Sequence, residues 1–215
     1  MKQVILFIVV SFCAMQVQAY EPNADLLAMQ HSWATANYQL TGDAQEEAFE
    51  ALLALSADLT VKHPEQAEFW VWKGIIQSSY AGVKGGLGAL GLAKKARKSL
   101  EKALELDDTA LQGSAYTSLG TLFHKVPGWP LGFGDDDEAE VLLEKALKIN
   151  EFGIDPNYFY AEFLFDNKKY ESAKQHLNKA LQAPPREERP LADEARRKEV
   201  EALLVQVNKR LDKKK

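Results

Sequence analysis

Cysteine is almost absent from this chain: Cys13 is the only one in 215 residues. It lies in an N-terminal segment that has a short positive start at Lys2 and an apolar run from Val4 to Ala14. Val17-Gln18-Ala19 then puts small residues where a signal peptidase reads, so residues 1–19 are expected to be a cleaved export signal. The remaining chain would begin at Tyr20, in the periplasm or outside the cell. The apolar run is too short to span a bilayer, which takes roughly 20 residues. Phe12 precedes Cys13 where a lipoprotein signal needs a small residue, which argues against a lipid anchor. Losing Cys13 with the signal would leave no thiol. That excludes a disulfide scaffold, a cysteine nucleophile and thiolate zinc sites, and it suits an oxidising compartment.

Excess positive charge is also missing. Lys and Arg number 26 against 31 Asp and Glu, a net charge of −5. Nucleic acid requires a basic face, so it is not an expected partner. No second long apolar run follows the leader. Catalytic signatures are absent as well: His31, His63, His124 and His176 stand alone, with no H-E-x-x-H pair and no G-x-S-x-G. No catalytic residue, metal or cofactor is expected, and the chain reads as a binding protein rather than an enzyme.

What the sequence does contain is an internal repeat. Between Ile154 and Glu187, Ala161, Ala173, Leu177, Ala180 and Pro185 fall at intervals of twelve, four, three and five. Those are the spacings of the small and apolar positions of a 34-residue tetratricopeptide repeat (TPR). Small residues at Ala161 and Ala173 allow two helices to approach closely, and Pro185 ends the second. Gly120, Ala139, Leu143 and Ala146 repeat the phrase upstream, as do Gly74, Ala96, Leu100 and Ala103. LEKALEL (100–106) and LEKALKI (143–149) are nearly identical. An N-terminal unit follows from Ala36, Ala48, Leu52 and Leu55, closing at His63-Pro64. The expected fold is therefore all-α, a TPR-like solenoid of stacked helical hairpins in one domain over 20–212. Its repeats are placed at about 29–64, 67–110, 113–153 and 154–187, with a capping helix at 191–211 to cover the last apolar face.

Two insertions interrupt the repeat between its paired helices. The first, the Gly-rich stretch 82–91, is expected to be a connecting turn or packing loop, with apolar members that leave room for a contact surface. Gly86, Gly88 and Gly91 form a G-x-G-x-x-G, but no strand precedes them, so a dinucleotide site is not expected. The second, Lys125 to Asp137, has two prolines and three glycines and is expected to be an irregular loop carrying Trp129 and Phe133. Asp135 to Asp137 should open the next helix by capping its free amides; no calcium-loop pattern is present.

Stacked helical hairpins form a concave surface lined by the first helix of each pair. Carried over from the TPR pattern, its lining positions are Trp33 and Asn37, then Val71, Ile75, Ser78 and Ser79. Ser114, Thr117, Thr121 and His124 follow, and last come Tyr158, Glu162, Phe165 and Asp166. This mixture lacks the basic clamp that holds peptide carboxylates. With Trp129 and Phe133 of the loop, these positions are the candidate partner surface.

From Tyr80 to Leu204 the chain resembles the T-component (TatT) family of TRAP transporters. The resemblance rests on GGLGALGLAKKAR (85–97), KVPGWPLGFGDDDEAE (125–140) leading into LLEKALKIN (142–150), GIDPNYFYAEFL (153–164) and APPREERPLADEARR (183–197). It implies a periplasmic accessory to the uptake of organic acids or other small hydrophobic molecules, working beside a solute-binding protein. The expected partner is thus a protein of the cell envelope, with a small apolar ligand and self-association as further partner classes. The alternative is a general cell-envelope scaffold for protein–protein interaction, without a ligand.

Overall fold

The computed structural model describes residues 24–213, apart from the side chain of Leu87. The leader 1–19, Cys13 and the expected mature start Tyr20 lie outside the described residues. Among those described, nine helices follow one another and no strand forms: α1 (Ala24–Tyr38), α2 (Gly42–Lys62), α3 (Ala67–Lys84), α4 (Gly86–Leu106), α5 (Ala110–Lys125), α6 (Asp136–Ile149), α7 (Ile154–Asp166), α8 (Tyr170–Leu181) and α9 (Pro190–Asp212).

Consecutive helices pair as hairpins, α1 with α2 through α7 with α8, and each second helix then packs on the next first helix. The first helices also stack on one another, α1 on α3, α3 on α5 and α5 on α7. That pattern winds the hairpins into a superhelix whose inner wall is made of first helices.

Small residues set the hairpin spacing. A methyl group added at Gly74 would sit 2.5 Å from Leu100 Cγ, and one at Gly120 would sit 2.8 Å from Leu143 Cγ and 3.1 Å from the Ala139 carbonyl oxygen. Ala161 and Ala173 are fully buried at the equivalent points of the last hairpin. Leu100, Leu143 and Leu177 recur at one register of the second helices and are wholly enclosed. Each contributes about 1.5–3 kcal/mol relative to exposure.

Two apolar clusters result. One joins α1, α2 and α3 through Leu26, Met29, Trp33, Phe49, Phe69, Trp72 and Ile76. The other runs from α4 to α9 through Leu100, Leu119, Leu143, Ala161, Leu177 and Val200. Of the two expectations for 82–91, the connecting turn forms and the packing loop does not. α3 continues to Lys84 and α4 begins at Gly86, so only Gly85 lies outside a helix. Gly85 (φ 61°) and Gly86 (φ 57°) absorb the reversal. Leu92 and Ala93, just beyond, are buried, and that packing extends α4 through a glycine-rich stretch.

Candidate partner-binding surfaces

The second insertion is the irregular segment 126–135 between α5 and α6, and its base is fastened on three sides. The Gly134 N–H donates to the Pro127 carbonyl (3.0 Å) and the Asp135 N–H to the Phe123 carbonyl (2.9 Å). The half-buried Phe133 ring meets Phe123 edge-to-face at 5.5 Å, and the Arg97 guanidinium of α4 lies over both rings at 4.9 and 5.2 Å. Asp135 is the N-cap of α6, its carboxylate accepting from the backbone N–H groups of Asp137 and Glu138. Phe133 is thus a buttress rather than a contact residue. The tip points away: Trp129 is 90% exposed and Leu131 72%. Trp129 is legible in the sequence as a loop aromatic, whereas Leu131 carries no signal that sets it apart from its loop neighbours.

The inner face is less open than its sequence register suggests. Val71 (0% exposed), Thr117 (5%) and Trp33 (6%) are buried and cannot meet a partner directly, which corrects their assignment to the lining. Val71 belongs to the larger apolar cluster. Trp33 packs edge-to-face on Trp72 at 5.4 Å and donates its indole N–H to Ser79 Oγ at 2.9 Å. Ser78 and Thr121 turn their hydroxyls to carbonyls of their own helices, at Gly74 and Thr117. Ile75 is half-buried between the two clusters, and Asn37 and Ser114 are also only partly exposed.

At the α5–α7 end, three of the projected residues, His124, Glu162 and Asp166, are joined. His124 lies between two carboxylates, Nδ1 2.7 Å from Asp136 and Nε2 2.9 Å from Asp166. Lys125 bridges Asp166 (2.9 Å) and Glu162 (3.2 Å). Phe165 packs against Tyr170 at 5.5 Å. The side chains here already hold one another, tying the root of the loop to α7.

Tyr158 is covered from within the chain. Arg196 of α9 lies over Tyr158 and Phe159 at 4.6 and 4.5 Å, and Arg189, at the N-cap of α9, lies over Trp72 at 4.9 Å. Burial and the nearby Glu162 push the Tyr158 hydroxyl well above the ordinary tyrosine range. Asp155 joins Arg186 (2.7 Å) to Arg196 (2.9 Å), and Asp193 closes the set on Arg186. Burial alone would raise the Asp155 carboxyl, but Arg186, Arg196 and Arg189 outweigh it and hold the group well below the usual carboxylate range. Arg189 has no carboxylate bonded to its guanidinium among the described residues; burial, with Arg186 nearby, pushes it down to about 10. Its Nε and the Trp72 indole N–H are both buried without a hydrogen-bond partner.

Sequence reasoning missed Trp72, Asp155, Arg189 and Arg196. The available signal was a density of arginines in the stretch 186–197, more than a helix cap needs. Among the described residues no cluster of His, Cys, Asp or Glu is arranged to hold a metal ion, and no helix is long and apolar enough to cross a membrane.

Comparison with known proteins bears on the repeat itself. A tetratricopeptide-repeat family model matches residues 154–187. The crystal structure of a thermophilic TPR protein from Thermus thermophilus superposes with a TM-score of 0.54, covering 82% of this chain and 96% of that one at 15% identity. The fold is a TPR-like solenoid. No curated protein matches the sequence. The solenoid's matched unit is the α7–α8 hairpin, where the five signature positions run without a gap, and the remaining hairpins of the TPR array carry lengthened helices or an inserted loop.

Proposed function

We propose that this TPR protein is a protein-interaction adaptor that docks its partner through the tip of loop 126–135. The observation that carries this reading is the exposure of Trp129 and Leu131 on a loop whose base is held by Phe133, Arg97 and the Asp135 cap. Rigid aromatic anchors dominate interface energies, and a loop fixed before binding loses little entropy when it docks. In this reading the leader 1–19 carries the chain to the periplasm. The loop phrases support an accessory role in TRAP-type uptake, with a solute-binding protein as the partner.

A second reading, a general envelope scaffold without a ligand, is favoured by the inner face. Arg189 and Arg196 cover the aromatic positions where a small apolar molecule would lie.

A photo-crosslinking residue in place of Trp129, activated in intact cells, separates the readings. Crosslinks to a solute-binding protein support the uptake role, and crosslinks to wall or outer-membrane machinery support the scaffold. Capture no greater from position 129 than from the exposed Val205 on α9 would overturn the docking role of the loop.

A further inference from the structure

α9 belongs to both apolar clusters. Its later turns place Val200, Leu203 and Val207 in the cluster of the last hairpins, which is what a capping helix requires. Its first turn places Ala192, with Leu191 alongside, in the cluster of α1–α3 at the opposite end of the repeat. Ahead of it, the His31 Nε2–H of α1 donates to the Glu188 carbonyl at 2.5 Å. The stretch 186–200 therefore touches α1, α3 and α7, the first helices of three different hairpins. Only a segment lying inside the curve can do that, because second helices cover the outside.

Capping does not account for the arginines. A cap needs an apolar stripe, whereas burying guanidinium groups carries a desolvation cost that only close partners offset. Arg189, the N-cap residue of α9, and Arg196, about two turns into the helix, stand seven residues apart, and both guanidinium groups reach rings of first helices. Arg189 lies over the Trp72 ring and Arg196 over Tyr158 and Phe159 of the inner wall, and the second is also fixed by Asp155. That is how a bound ligand helix sits in a groove, with the ligand supplied by the same chain.

We propose that residues 186–200 are an intramolecular occupant of the inner face, and that the partner able to replace them is a helix bearing two arginines seven residues apart. The wall selects that chemistry: Trp72, Tyr158 and Phe159 offer ring faces and Asp155 a carboxylate. The proposal is independent of the loop reading, since the two surfaces share no residue.

The test uses the full chain and a labelled synthetic peptide of residues 186–204 added in trans. In the Arg189→Ala/Arg196→Ala variant the wall is intact and its occupant weakened. Affinity for a site that is rarely free scales with the fraction free, so the peptide should bind this variant at least about tenfold more tightly than wild type by fluorescence anisotropy. A peptide with both arginines changed to alanine should not bind. If the double variant melts without cooperativity, Leu191→Ser weakens the same docking and takes its place. Hydrogen exchange provides a second measure: α1 and α7, the helices that Glu188 and Arg196 touch, should exchange faster in the variant while α5 and α6 are unchanged. Equal affinity for variant and wild type, equal binding by the alanine peptide, or uniformly faster exchange would each overturn the proposal and leave α9 a cap only.

Discussion

Gly74 and Gly120 sit at close helix crossings where an added methyl group would meet a leucine side chain and a backbone carbonyl, and the carbonyl is the nearer at Gly120, 3.1 Å (Ala139) against 3.3 Å (Ala96) at Gly74. A side chain at Gly120 must push α6 away from α5. Gly120→Val should lower stability by about 1–3 kcal/mol, despite the better helix propensity of a non-glycine residue, read as a fall in the denaturation midpoint. The sequence revealed this position because the repeat demands a small residue there. It did not reveal Asp155, whose arginine partners lie 31 and 41 residues away, where only the winding of the superhelix brings them together. Asp155→Asn should cost about 2 kcal/mol at neutral pH, less than breaking a fully enclosed pair, because its side chain keeps partial solvent access. The folded-state carboxyl titrates below its ordinary 3.8, so its stabilisation is complete above about pH 4 and is lost as the pH falls further. Chemical denaturation of wild type and variant at pH 7 and pH 3 checks the sign, since the gap between them should narrow on acidification. A gap that stays constant would mean that Asp155 acts through packing and not through charge.

Among the elements, α6 shows how local chemistry starts a helix. The run of three aspartates predicts a cap, and Asp135 supplies it by accepting from two amides. Asp135→Ala should cost about 1 kcal/mol and loosen loop and helix together, because the Asp135 N–H also ties the loop to Phe123. Urea denaturation gives the first quantity and hydrogen exchange at 126–139 the second. The glycine-rich stretch is the opposite case. Isolated glycines argue for a loop, yet Leu92 and Ala93 find buried positions against the neighbouring helices and tertiary packing carries the helix back to Gly86. Trp129 contributes little to stability. Trp129→Ala should change the melting free energy by no more than about 0.5 kcal/mol while removing most partner capture, a combination that a merely structural tryptophan would not give.

Over the whole molecule, the hairpin order and the stacking of first helices were legible because each hairpin repeats one spacing rule. The inner face was not. Neighbouring residues on a helix differ by about 100° in direction, so an error of one position exchanges the buried Val71 for Trp72, the ring on which Arg189 rests. The meeting of α1 with the start of α9 was also out of reach, since His31 and Glu188 are separated by 157 residues and no local rule links them. The resulting molecule is a solenoid whose inner wall is engaged by its own chain and whose exposed anchor lies on an inserted loop. Hydrogen exchange of the full chain, alone and with its crosslink-identified partner, tests that account most directly. Protection confined to residues 126–135 is the predicted result; protection along 71–79, 114–124 and 158–166 with the loop unchanged would contradict it.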